Sequence, residues 1–207
     1  MGLSRVGFWL RVAPCVWLAA ATPVAAAGSA TAADDWGLPQ LMQELAQVKS
    51  ASAQFTEWKT MHMLSAPLQT SGTLGYVAPD RIQKITVTPV SERFVLDGDK
   101  IVMTGGPDGQ VHTFSLADYP QIGGLVEGIR ATLAGDLPTL DRFYTVQLTG
   151  SAADWQLLLQ SKDADLVRFV KWIRIQGSGD RIEAIATESS DGDHSEMSIV
   201  EDVSNAR

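Results

Sequence analysis

Cysteine is almost absent from this chain of 207 residues: Cys15 stands alone, so neither a disulfide framework nor a cysteine-rich metal site is available. Basic residues are scarce as well. Sixteen lysines and arginines face 24 aspartates and glutamates, a formal charge of −8, and a nucleic-acid binder needs a basic face for phosphates. A long, strongly apolar run of the kind that crosses a bilayer is lacking, and 45% hydrophobic with 19% charged residues is too apolar for a disordered chain. What remains is one globular domain plus an export segment.

The N-terminus reads as that export segment. Arg5 and Arg11 precede an apolar stretch from Val12 to Ala21, and small residues follow from Ala25 to Ala33. A positive start, a short apolar core and an A-x-A-like site describe a secretory signal peptide, with cleavage after Ala27 or Ala33. An uncleaved anchor is disfavoured by Pro14, Pro23 and the many alanines. Cys15 as a lipoprotein cysteine is disfavoured because Arg11 interrupts the apolar segment ahead of it. The expected organisation is a signal peptide over 1–33 and a single domain over 34–207. Loss of Arg5 and Arg11 takes the charge from −8 to −10.

Leu38, Leu41, Met42, Leu45 and Val48 lie on one helical stripe, with Pro39 in the first turn and Asp34 and Asp35 ahead of it. Strand signals follow at 52–63, 71–77, 81–88, 92–97, 100–104 and 111–115, then at 143–149, 154–160, 167–176, 181–188 and 195–203. Hairpin breakers such as Asp97-Gly98, Pro107-Asp108-Gly109, Gly177-Ser178-Gly179 and Asp191-Gly192-Asp193 separate them. Many short strands joined by tight turns predict an antiparallel meander. Between the two series, 118–135 turns helical, with Ile122, Leu125, Val126, Ile129 and Leu133 on one stripe. Gly123, Gly124 and Gly128 lie inside it, each weakening a helix by about 1 kcal/mol against alanine. The predicted class is α+β, mainly β. A curved antiparallel sheet of about 10–11 strands is covered by an N-terminal helix and this helical insert, with room for an apolar cavity between them.

Chemistry-bearing constellations are thin. His62, His112 and His194 have no helical metal-site spacing, and Asp191-Gly192-Asp193-His194-Ser195-Glu196 lacks the full ligand pattern of a calcium loop and reads as a solvated turn. Gly105-Gly106-Pro107-Asp108-Gly109 lacks the Lys-Ser/Thr of a phosphate loop. There is no G-x-S-x-G elbow. No metal, cofactor or catalytic residue is therefore assigned. Met61 and Met63 share one strand parity and, with the aromatics, suit an adaptable apolar surface.

An ordered set of segments resembles the periplasmic outer-membrane lipoprotein carrier family, the LolA type. It begins with Leu41-x3-Leu45-x2-Val48 and Ser50-Ala51-Ser52-Ala53-Gln54-Phe55-Thr56-Glu57. It continues through Gly72-Thr73-Leu74-Gly75-Tyr76-Val77-Ala78-Pro79-Asp80 and Ser91-Glu92-Arg93-Phe94-Val95-Leu96-Asp97-Gly98-Asp99-Lys100-Ile101. The spacing of Gly72, Leu74, Pro79 and Gly98 is its most specific part, and the chain is identified as a divergent member. The resemblance implies a half-open antiparallel β-barrel with a helical lid. It implies a non-enzymatic periplasmic carrier, a monomer, that holds lipoprotein acyl chains and shuttles them between the membranes. Its partners would be an inner-membrane ABC transporter and an outer-membrane receptor. Such carriers have an arginine directly before the proline that helps hold the lid closed. Here that position is Ala78, and Arg81 is the nearest substitute.

Strand parity and the matched positions together give the expected cavity residues: Phe55, Leu74, Tyr76, Ile82, Phe94 and Leu96 on the sheet, with Leu125, Ile129 and Leu133, and Ile122 beside them, on the lid. The alternatives are a carrier of another amphiphilic lipid or lipid-linked pigment, and a sensor or scaffold built on the same fold.

Overall fold

Strands account for far more of the described residues than helices do. The computed structural model describes residues 36–106 and 109–202, without the side chains of 120–122. Residues 1–33, the expected signal peptide, lie outside the described part, as do Asp34 and Asp35.

Eleven strands form one antiparallel sheet: β1 (Ser50–Thr60), β2 (Leu68–Val77), β3 (Arg81–Thr88), β4 (Glu92–Asp97), β5 (Lys100–Gly105), β6 (Val111–Ser115), β7 (Tyr144–Ser151), β8 (Asp154–Ser161), β9 (Trp172–Ser178), β10 (Arg181–Glu188) and β11 (His194–Glu201). Their order is β6-β5-β4-β3-β2-β1-β11-β10-β9-β8-β7, so two meanders are joined where β1 pairs with β11. The sheet is not closed: β6 and β7 are its two edges. Gly98, at φ 59°, supplies the left-handed residue of the β4–β5 hairpin, where a side chain would be strained.

Among the described residues there are four α-helices: α1 (Leu38–Leu45), α2 (Pro120–Ala134), α3 (Leu137–Phe143) and α4 (Ala164–Val167). Proline lies in the first turn of α1 and α2, where its missing N–H costs nothing. Gly135, at φ 66°, ends α2 in the left-handed conformation, and Asp136 caps α3 by accepting from the Thr139 N–H at 3.1 Å.

The two halves of the sheet are packed differently. On β7, β8 and β9 the fully buried Tyr144, Trp155, Leu157, Leu159, Ile173 and Ile175 meet Leu41, Met42 and Leu45 of α1, Ala131 of α2, Leu140 of α3 and Leu166 of α4 in a continuous core. On β1–β4 there is no such core. A small cluster of Leu96, Ile101 and Leu116 closes one edge, and the remaining face is hollow.

Several sequence expectations need correction. The first strand ends at Thr60, so Met61 and Met63 are in a turn, with Met63 83% exposed. The segment 167–176 splits, because Asp163 accepts from the N–H groups of Asp165 and Leu166 and starts α4; the strand begins at Trp172. Helix α3 was hidden in 136–143. Its Asp136 cap and following proline are a start signal, but seven residues are too few to show a period. Gly177 and Ser178 belong to β9 rather than to a turn.

Candidate functional site

A cavity of about 640 Å³ lies between the hollow half of the sheet and the helices. Side-chain alternation builds its wall. Ala51, Ala53, Glu57 and Lys59 of β1 face it, with Leu68, Thr70, Leu74 and Tyr76 of β2 and Ile82, Lys84 and Thr86 of β3. Register carries the same face across the strands: Ala53 pairs with Leu74, Leu74 with Lys84 and Lys84 with Phe94. Ile182 and Ile185 of β10, Met197 and Ile199 of β11, Leu45 and Val48 from α1 and the adjoining loop, and Leu125, Val126, Ile129 and Leu133 of α2 also line it.

Helix α2 is drawn against the core by its glycines. A Cβ on Gly124 would lie 2.1 Å from Leu166 Cδ1, and one on Gly128 would lie 2.9 Å from Ile173 Cδ1 and 3.0 Å from Tyr144 Cε2. The Tyr144 hydroxyl donates to the Gly124 carbonyl at 2.6 Å, and burial pushes that phenol well above its ordinary pKa. One face of α2 is therefore tightly seated while Leu125, Ile129 and Leu133 face the cavity. The glycines that weaken the helix are the ones that let it approach.

Seven of the expected positions meet at this cavity: Leu74, Tyr76, Ile82, Phe94, Leu125, Ile129 and Leu133. Phe55 and Leu96 are not on its wall. Phe55 is buried in the sheet with the Lys84 ammonium 4.7 Å above its ring, and Leu96 belongs to the edge cluster with Ile101 and Leu116. Arg81 pairs with Asp97 across the β3–β4 hairpin; both side chains are about half exposed, and this pair links two strands rather than a strand and a helix. The Ile122 side chain is outside the described residues.

Sequence reading missed a charged cluster in this wall. Glu57 is buried; its Oε2 accepts from Lys84 Nζ at 2.5 Å and from Thr70 Oγ1 at 3.2 Å, and Lys59 Nζ lies 3.5 Å away. Burial opposes the Glu57 charge, but Lys84 and then Lys59 outweigh it and hold the carboxyl below its ordinary pKa. Burial pushes Lys84 below its own usual value, against the attraction of Glu57. Glu57 and Lys59 are two apart on an alternating strand, a sequence signal for one face. The distant Lys84 carries no such signal.

A second cluster is exposed. His62, in the β1–β2 turn, donates through its backbone N–H to Asp193 Oδ1 at 2.8 Å, and its Nδ1 lies 2.7 Å from the same oxygen. Asp191 Oδ2 is 3.9 Å from Nδ1, and the three side chains are close enough together to share a cation. The hydrogen bond and charge of Asp193 raise the His62 pKa. Spacing could not reveal this group, because 131 positions separate His62 from Asp193.

An open antiparallel sheet with helices against one face thus encloses an apolar hollow beneath them. The chain belongs to the outer membrane lipoprotein carrier protein LolA-like family, whose model matches residues 26–206. That is a family of carriers, generally non-enzymatic. Comparison with curated protein sequences gives no significant match. Among solved structures the chain is similar to a LolA superfamily protein from Nitrosomonas europaea, with 9% identity, 79% of this chain and 90% of that chain covered and a TM-score of 0.40. It is also similar to a putative outer membrane lipoprotein-sorting protein domain from Vibrio parahaemolyticus, at 8% identity, 81% and 92% coverage and a TM-score of 0.41. Pseudomonas aeruginosa MucB, solved in complex with MucA, matches at 12% identity over 78% of this chain and 53% of that one, with a TM-score of 0.40.

Proposed function

We propose that this protein is an exported, periplasmic carrier that holds the acyl chains of lipoproteins in the cavity between sheet and helices and shuttles them from inner to outer membrane. The observation that carries this reading is the 640 Å³ hollow, with Leu74, Ile82 and Phe94 on one side and Leu125, Ile129 and Leu133 on the other. It falls in the size range of about 300–1,000 Å³ usual for small-molecule sites. Each CH2 transferred into it from water gains about 0.8 kcal/mol, so an alkyl chain is the ligand that such a wall favours most. Family membership supports lipoprotein as the source of the chain.

On this reading the sheet is a half-open barrel and α2 its lid. The seated Gly124–Gly128 face is the hinge side, and the Leu125–Ile129–Leu133 side meets cargo. Residues 1–33 are the cleaved address, and an inner-membrane transporter and an outer-membrane receptor are the expected partners.

Binding of a fluorescent fatty acid tests the reading. Wild-type protein should bind it, and Ile129→Glu should weaken binding by about tenfold or more, since a carboxylate would then lie along the chain. Unchanged affinity in a folded Ile129→Glu protein would remove α2 from the site. Absence of binding by wild-type protein would end the carrier reading.

A further inference from the structure

The wall of the cavity is polarised along the strands. Lys59, Thr70, Thr86, Glu92, Thr187 and Ser195 all lie towards the end where β1, β3 and β10 finish and β2, β4 and β11 begin, beside the apolar Leu68, Pro89 and Val90, and the Lys84 side chain reaches over Phe55 to join them. Towards the opposite end lie Ala51, Tyr76 and Ile82, and Val126 of α2 packs on the Leu96–Ile101–Leu116 cluster there. The exceptions at that end are the exposed carboxylates Asp180 and Glu201.

Within the polar end, hydrogen-bond capacity is uneven. Glu57 Oε2 has three partners and the side chain is only 6% exposed, so its charge is sealed beneath the surface. The two lysines are less covered: the Lys84 side chain is 24% exposed and that of Lys59 36%. Each ammonium has three N–H donors. Lys84 uses one on Glu57, and among the described residues Lys59 makes only the 3.5 Å contact, beyond the usual length of an N–H···O bond. Glu92 lies on the same wall and its charge also attracts Lys84. The cluster thus presents spare donors to whatever enters, with Glu57 Oε2 already partnered. A buried ion pair adds little to stability over apolar packing of the same volume, so stability alone does not explain charges in this wall.

We propose that this end of the cavity is a head-group subsite: it takes an amphiphile with an anionic oxygen head, phosphate or carboxylate, on Lys59 and Lys84, with the alkyl chain directed towards Ile82 and α2. The carboxylates at the other end repel such a head and set the direction of entry. The subsite deepens the carrier reading and rests on it, because an alkyl chain must fill the apolar part.

Calorimetric titration with three probes below their micellar concentrations tests it: dodecyl phosphate, dodecyl maltoside and inorganic phosphate. Dodecyl phosphate should bind at least about tenfold tighter than the maltoside, as one charge-assisted hydrogen bond provides. Inorganic phosphate alone should bind far more weakly than dodecyl phosphate. Lys59→Gln, which leaves the Glu57–Lys84 pair intact, should lose several-fold of the phosphate preference. Lys59→Gln/Glu57→Gln/Lys84→Gln should abolish it, leaving the two amphiphiles with equal affinity. Equal affinity of wild-type protein for the two amphiphiles, or a preference that survives Lys59→Gln undiminished, would overturn the subsite and leave the carrier reading standing. Inorganic phosphate binding as tightly as dodecyl phosphate would mark a free-anion site and also overturn it. If neither amphiphile binds, the carrier reading itself fails.

Discussion

The hydroxyl of Tyr144, at the start of β7, donates to the carbonyl of Gly124 in the second turn of α2 at 2.6 Å. Tyr144 has no solvent exposure, so this bond fixes the helix over the cavity to the packed half of the sheet. Tyr144→Phe keeps the ring and leaves the carbonyl without that donor. It should cost about 1–3 kcal/mol, which is a fall of roughly 2–10 °C in Tm for a domain of this size. Thermal melts of the two proteins give the comparison, and an unchanged Tm would mean that α2 is held by packing alone.

Gly128 separates helix propensity from close approach. Alanine there gains about 1 kcal/mol of propensity, but its Cβ would lie about 3 Å from both Ile173 and the Tyr144 ring. Overpacking costs about 1–3 kcal/mol. Gly128→Ala is therefore expected to be neutral to destabilising in urea, whereas a helix limited only by propensity would be stabilised.

How far the sequence foresaw this arrangement depends on the residue. Leu125, Ile129 and Leu133 were legible because a 3.6-residue period puts them on one stripe, and Leu74 and Tyr76 because a strand alternates. Parity alone cannot separate cavity wall from packed core, and that is why Phe55 and Leu96 were placed wrongly on the wall. Both face inwards, but one is covered by the Lys84 side chain and the other by Ile101 and Leu116. The glycines of α2 were read as weakness because their partners, Leu166 and Tyr144, are distant in sequence. The Glu57–Lys84 pair was invisible for the same reason: 27 positions separate its members.

Glu57 makes stability depend on acid. Its folded pKa lies below the ordinary carboxylate value, so its contribution is full above about pH 4.5 and is lost as pH falls through the lower folded value. Glu57→Gln should cost about 1–3 kcal/mol at pH 7. The gap between the urea midpoints of variant and wild type should narrow at pH 3. A gap independent of pH would mean that the carboxylate charge contributes nothing.

His62 should titrate above 6.5 in the folded chain, because Asp193 favours the imidazolium. The sign is opposite to that of Glu57: the pairing is complete below pH 6.5 and is lost as pH rises through the raised value. Proton NMR of the ring resonances measures this, and Asp193→Asn should bring the pKa back towards 6.5. A wild-type pKa already at 6.5 would show that the turn–turn contact does not persist in solution.

Mass spectrometry of an organic extract of the protein, purified from cells that export it and without detergent, addresses the carrier function most directly. The account predicts acyl-chain lipid or acylated peptide recovered in near-stoichiometric amount from wild-type protein and strongly reduced from Ile129→Glu. Wild-type protein that yields no acylated species, and that takes up none when offered a fatty acid, would contradict it.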